Sequence, residues 1–218
     1  RPIAKIAARL MAGEKLRDFP LGVPSMSSHH VAVKEAVFPF DRFPGTDIIL
    51  GPEMRSTGEV MGLDKDFDRA FAKSQLASGI VLPDSGTVFI SVKDDDKTAT
   101  SQVARRLAEL GFTLLATNGT ARHLTRSGIE VVHVNKVAQG SPHIIDRMKE
   151  GGVQLVINTT QGAQSIADSF DIRRAAITHH IPHYTTLAGA RATVLAIAAL
   201  RAGGLEVAPL QSYSTNSV

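Results

Sequence analysis

A chain of 218 residues, 43% hydrophobic and 21% charged, has ordinary globular composition and room for one large domain or two modest ones. The absence of Cys excludes disulfides and thiolate metal sites, and no apolar run reaches the roughly 18–20 residues of a membrane span. The net charge of +3 is uneven, with 11 basic and 11 acidic side chains in residues 1–85 against 13 and 10 in 86–218, and no basic run exceeds two residues, which argues against nucleic acid and for a small anion as partner.

The opening Arg1-Pro2-Ile3 lacks the charged-then-apolar layout of a signal peptide, which with the missing Cys fits a cytoplasmic protein. Residues 3–11 follow a helical pattern that Gly13 ends. A Pro/Ser/His-rich loop over 20–30 leads to a strand at 31–38, stopped by Pro39. The stretch from 43 to 59 is rich in turn formers and charge and reads as a structured loop, with Glu53, Arg55 and Glu59 suited to buried ion pairs. Phe67, Phe71 and Leu76 give a helix over 67–77. This first segment has too few strands to build a sheet alone.

From Gly86 the pattern becomes regular: strands at 88–92, 112–116, 131–134 and 153–157 alternate with helices at 99–110, 119–126, 144–149 and 163–178, before an Ala/Ile/Leu-rich helix at 187–202. Strict alternation predicts an α/β fold with a doubly wound parallel sheet. Gly79, Pro83, Asp84 and Ser85 mark a boundary, giving expected domains 1–78 and 79–218.

In such sheets ligands sit beyond the carboxyl ends of the strands, where helix N-termini favour anions. Lys97, the Thr117-Asn118-Gly119-Thr120 turn, Asn135-Lys136 and Asn158-Thr159-Thr160 fall at four strand ends, so two lysines, two threonines and an Asn/Thr pair converge on a phosphate-sized site. Taken singly, Thr and Asn at such places are usually caps and turn residues. His179-His180 with His183 lacks the glutamate of a metalloprotease helix, and Asp94-Asp95-Asp96 reads as a solvated turn rather than a metal site. No catalytic residues and no resident metal are expected; Arg173-Arg174 reads as helix surface.

The run Gly51-Pro52-Glu53-Met54-Arg55-Ser56-Thr57-Gly58-Glu59-Val60-Met61-Gly62, with Val33-Lys34-Glu35-Ala36-Val37-Phe38-Pro39-Phe40 before it, resembles the large subunit of carbamoyl-phosphate synthetase, and the resemblance extends to about Tyr213. It implies that residues 1–78 are the end of the second, carbamate-phosphorylating ATP-grasp unit, an incomplete α+β tail. Residues 79–218 would be the C-terminal allosteric domain of the methylglyoxal-synthase-like fold. The whole enzyme of that family makes carbamoyl phosphate from bicarbonate, glutamine-derived ammonia and two ATP for pyrimidine and arginine synthesis. ATP and Mg or Mn would serve parts upstream, a glutaminase small subunit would be the partner, and no cofactor is expected within these residues, which should not turn over alone.

The same resemblance implies UMP, or IMP in some members, as effector. The family's phosphate-binding residues match Lys97, Thr117, Thr120 and Lys136, and its ribose and base contacts match Asn158 and Thr160. Asn118 replaces the family's His in the turn. An ornithine activator contact matches Glu35, but Tyr184 stands where the family has an Asp, and a phenol does not pair with an ammonium as a carboxylate does. Two alternatives stand beside this: a methylglyoxal-synthase-like lyase, disfavoured because Gly140-Ser141-Pro142 lacks the family's catalytic Asp and Asp146 falls a turn into a helix, and a docking module that binds no ligand. A homo-oligomer is compatible with either; a membrane partner is not expected.

Overall fold

A computed structural model describes residues 2–21, 30–37, 58–160 and 163–213. The expected loop at 20–30 lies largely outside this set, as do Phe38 and the Gly51 to Thr57 part of the motif, including Glu53 and Arg55. Contacts divide the chain into two units, one formed by residues 1–29 and 209–218, the other by 30–208.

In the first unit, α1 (Ile3–Met11) buries none of its residues. Gly13, at φ +102°, takes the left-handed turn after it. Arg9 pairs with Glu14 at 2.6 Å and lies 4.7 Å from the Phe19 ring centroid. A short 3-10 turn, Leu210–Tyr213, belongs to the same unit.

The second unit begins with an antiparallel hairpin, β1 (Val31–Val37) and β2 (Gly58–Asp64), with Glu35 opposite Val60 and Val33 opposite Gly62. The loop expected up to Glu59 is therefore strand from Gly58 onward. Its Val60 and Leu63 are partly covered while Glu59 and Met61 face out, a pattern that the surrounding glycines and charges hid. Glu59 pairs with Lys34 at 2.5 Å, with both side chains exposed rather than buried. The following helix, α2 (Phe67–Ala77), is capped by Asp66, whose carboxylate accepts from the Arg69 backbone N–H at 2.9 Å. It packs against the hairpin so closely that a Cβ on Gly62 would collide with the Ala70 carbonyl and the Ser74 nitrogen.

Then come β3 (Thr87–Ser91), α3 (Lys97–Glu109), β4 (Thr113–Ala116), α4 (Asn118–Arg126), β5 (Val132–His133), α5 (Ile144–Lys149), β6 (Leu155–Asn158), α6 (Ala163–Thr178), β7 (His183–Tyr184) and α7 (Leu187–Ala202). The five strands form one sheet in the order β5-β4-β3-β6-β7, every pair parallel. The α/β fold with a doubly wound parallel sheet is thus the fold of this region. Strand β7, only two residues long, carries no periodicity and is an addition to the expected set.

The sheet is covered on both faces, so its central strands read as continuous apolar runs. Val88 and Ile90 of β3 pack with Val103, Leu107, Leu124, Val194 and Ile197 from α3, α4 and α7. Phe89, facing the other way, packs with Ile144, Met148, Ile172 and Ala176 from α5 and α6. Each such fully buried side chain contributes about 1.5–3 kcal/mol. Helix α7 is held by Ala-rich propensity and by Thr186, which accepts from the Gly189 N–H at 3.1 Å. Helix α2 packs against α7, so the hairpin layer joins the sheet layer within the 30–208 unit.

Candidate functional site

The first strand of the five-stranded sheet, β3, sits in its middle: the chain adds β4 and β5 on one side of it, then β6 and β7 on the other. Between β3 and β6 the winding direction switches, and the splayed connections leave a crevice at the carboxyl ends. A cavity of about 400 Å³ opens there, lined from Ser91 to Asp94 after β3, and by Lys97, Thr117, Gly119, Thr120, Lys136, Asn158 and Thr159. Ser169, Asp171 and Ile172 of α6 complete the wall.

Lys97, Thr117, Thr120, Lys136 and Asn158 are brought together as the four-strand-end argument anticipated. Thr160 is not among the lining residues; its neighbour Thr159 is. The missed residues on α6 carry no sequence signal, because only the packing of α6 onto the Phe89 face aims its middle turn at the switch point.

The threonines are not ordinary helix caps. Thr117 precedes α4 in the extended conformation of an N-cap, yet its hydroxyl makes no capping bond and instead meets Ser91 Oγ at 3.0 Å. Thr120 Oγ1 accepts from the Val92 N–H and Thr159 Oγ1 from the Lys93 N–H, both at 3.2 Å. These bonds tie the end of β3 to both neighbours, and each hydroxyl that accepts keeps its own proton for a ligand. The N–H groups of Asn118, Gly119 and Thr120 carry no hydrogen bond among the described residues. An uncapped helix start carries positive partial charge and free donors.

Lys97 completes this end. A Cβ on Gly119 would lie 3.2 Å from Lys97 Nζ, so the ammonium hangs directly over the α4 N-terminus. Lys97 is balanced by Asp94 at 2.6 Å, and that contact holds the Asp94 carboxyl below the usual range. Lys136, which follows β5, reaches the cavity with an exposed side chain while its backbone N–H donates to Gln139 Oε1 at 2.8 Å. Asn158 donates to the Ser91 carbonyl at 3.3 Å, leaving its buried Oδ1 with no partner among the described residues. A buried acceptor without a donor is costly, and a ligand in the cavity can supply that donor.

Elsewhere, Asp146 accepts from the His143 N–H at 2.9 Å and from Ser141 Oγ at 2.8 Å, which keeps its carboxyl below the usual range and ties it to the start of α5. Arg173, Arg174 and the three histidines lie outside the cavity lining. Among the described residues no three His, Asp or Glu side chains converge as metal ligands would, and no helix is long and apolar enough to cross a membrane.

A second polar cluster links the two layers. Glu35 on β1 accepts from Ser74 Oγ at 3.0 Å and from Gln75 Nε2, and burial pushes its carboxyl above the ordinary range despite those donors. Gln75, itself buried, accepts from the Tyr184 hydroxyl at 2.6 Å. Burial pushes the Tyr184 phenol up to about 12.

The fold and the cavity together define a class, an α/β domain with an anion-shaped crevice at its topological switch point. Residues 99–185 match the model of the MGS-like domain. Carbamoyl phosphate synthase large chains match almost throughout: 57% identity over 217 residues with that of Mesorhizobium japonicum and 56% over 216 with that of Rhizobium meliloti, covering 98% and 97% of this chain and 19% of each relative. The large chain of Archaeoglobus fulgidus is 50% identical over 218 residues, 99% of this chain and 20% of its own. A solved methylglyoxal synthase from Elizabethkingia anophelis NUHP1 aligns at 17% identity and a TM-score of 0.43, over 52% of this chain and 79% of that one. Over almost its whole length the chain is similar to part of carbamoyl phosphate synthase large chains, and it spans about a fifth of the length of the relatives it matches.

Proposed function

We propose that residues 79–218 form the effector domain of a glutamine-dependent carbamoyl phosphate synthase, binding a nucleoside monophosphate, UMP or IMP, at the switch-point cavity. Residues 1–78 would be the end of the ATP-grasp unit whose activity is controlled. The observation that carries this is Lys97 Nζ poised over the uncapped start of α4, with Lys136 on the same cavity. Two ammonium groups and three free backbone donors suit a phosphate dianion. Asn158 Oδ1, buried and unpartnered, suits a ribose or base donor. Control would be by linkage: a ligand preferring one conformation shifts the equilibrium of the neighbouring layer, through the contact of α2 with α7.

The activity so regulated would be ATP-dependent synthesis of carbamoyl phosphate in the cytoplasm, with ATP and Mg or Mn bound upstream and a glutaminase small subunit as partner. A lyase acting on a small phosphorylated ketone would need a carboxylate base in the cavity near Gly140 to Pro142; Asp146 is engaged by His143 and Ser141 and does not line the cavity. The test is calorimetric titration with UMP and IMP. Saturable binding that Lys97→Ala weakens tenfold or more, and that Arg174→Ala leaves unchanged, supports the proposal; absence of binding, or indifference to Lys97→Ala, rejects it.

A further inference from the structure

The acidic turn before α3 does not act as one unit. Asp94, Asp95 and Asp96 form a single 3-10 turn, but of the three only Asp94 lines the cavity. Its carboxylate has a defined partner, Lys97 Nζ, at 2.6 Å. The two ends of this pair are held unequally: the Lys97 side chain is 22% exposed and that of Asp94 92%. Lys97 lies over the α4 N-terminus, 3.2 Å from where a Gly119 Cβ would be, whereas Asp94 is free to turn into solvent. The ammonium thus stands among like partial charges, the starts of α3 and α4, and the Asp94 carboxylate offsets them. A phosphate seated on the α4 amides needs the same ammonium. An exposed ion pair contributes little to stability, so a doubly charged anion can replace it.

We propose that Asp94 is a built-in stand-in for the ligand's phosphate: it occupies Lys97 in the unliganded chain, is displaced when a phosphorylated ligand binds, and thereby sets the affinity of the site. This rests on the cavity being a nucleotide site and adds how its affinity is tuned. Before binding, the pair keeps the ammonium in place over α4. On binding, Lys97 exchanges one anionic acceptor for another and Asp94 moves into water. No proton moves in the exchange, because both partners are already ionised: the Lys97 contact holds the Asp94 carboxyl below the ordinary range. The competition takes place at the phosphate end, so it acts alike on every ligand that carries this group, whatever its base.

The experiment is calorimetric titration of the whole chain with ribose 5-phosphate and with UMP at neutral pH. It compares the unaltered protein with Asp94→Asn, Asp95→Asn, Lys97→Ala and the double variant Asp94→Asn/Lys97→Ala. Asp94→Asn should bind both ligands about three- to fivefold tighter, the factor released when an exposed ion pair no longer competes. Added salt should shrink this gain. Asp95→Asn removes the same charge one residue away, outside the cavity lining, and should change affinity less than about twofold. In the Lys97→Ala background Asp94→Asn should bring no gain, which marks action through Lys97 rather than repulsion across the cavity. Unchanged or weaker binding by Asp94→Asn, equal gains from the two Asn variants, or a gain that survives Lys97→Ala would overturn the assignment, while ribose 5-phosphate binding to the unaltered protein upheld the site. Failure of both ligands to bind either the unaltered protein or Asp94→Asn would overturn the nucleotide site as well.

Discussion

Tyr184 donates its phenolic proton to Gln75 Oε1 at 2.6 Å, joining the edge of the parallel sheet to helix α2 of the hairpin layer. Gln75 passes the chain on, donating from Nε2 to Glu35. The one acidic residue that the family resemblance associates with an activator is thus engaged from within, by Ser74, Gln75 and, through Gln75, Tyr184. The phenol at 184, where the resemblance implies a carboxylate, supplies the donor that orients Gln75.

Tyr184→Phe should therefore destabilise residues 30–208 by about 1–3 kcal/mol, since it strands a buried acceptor on Gln75 while removing little apolar contact. Urea unfolding at neutral pH checks this. Because folding raises the Tyr184 pKa to about 12, its contribution is complete below the unfolded phenol value and is lost as pH rises through the folded one. The Tyr184→Phe difference should accordingly be constant across neutral pH and shrink only in strong alkali.

Glu35 has the same sign and the same leading cause. Burial raises its carboxyl pKa more than Ser74 and Gln75 lower it, so folding favours the protonated form. Its stabilisation is full below the unfolded carboxylate range and declines as pH rises through the folded value. Glu35→Gln keeps an acceptor for Ser74 and Gln75 and removes the charge. The stability of the variant relative to the unaltered chain should rise from acid toward neutral pH and then level off, as read from urea midpoints at each pH.

At Thr120 the prediction separates scaffold from ligand. Thr120→Val leaves the buried Val92 N–H without its acceptor and should cost about 1–3 kcal/mol even without effector. Thr120→Ser keeps the hydroxyl and should retain most stability and binding. Thermal melts with and without nucleotide distinguish the two terms.

Much of this was legible from residue order. The helix 67–77 is found as Phe67–Ala77, although Phe67 and Leu76 stay exposed and it buries Ala70, Ala72, Ser74 and Gln75, and the last helix as Leu187–Ala202, an Ala-rich run that ends before Gly203. Strand β2 was hidden because Gly58, Gly62 and two acids mimic a turn, and only the close approach of α2 explains the glycine at 62. Lys97, Thr117, Thr120, Lys136 and Asn158 could be foreseen since strand ends in an alternating pattern converge by rule. Asp171 could not: a single acid in mid-helix acquires meaning only from the sheet face onto which α6 folds.

Gly119→Ala probes the anion end. The added methyl would meet Lys97 Nζ at 3.2 Å, a contact the flexible side chain can relieve by turning away. Stability should change little or rise by up to about 1 kcal/mol, as for Gly to Ala in a helix. Phosphate affinity should fall severalfold, since the methyl occupies the approach to the α4 amides and displaces the ammonium. Paired melts and ribose 5-phosphate titrations test both halves.

The most direct test of the central claim is to follow backbone amide resonances of the chain as UMP or IMP is added. The largest shifts should fall on Asn118, Gly119 and Thr120, saturate with ligand, and require several times more ligand after Lys136→Ala. Saturable shifts confined to residues away from the α4 N-terminus, or no shifts with either nucleotide, would contradict a phosphate site at the sheet's switch point.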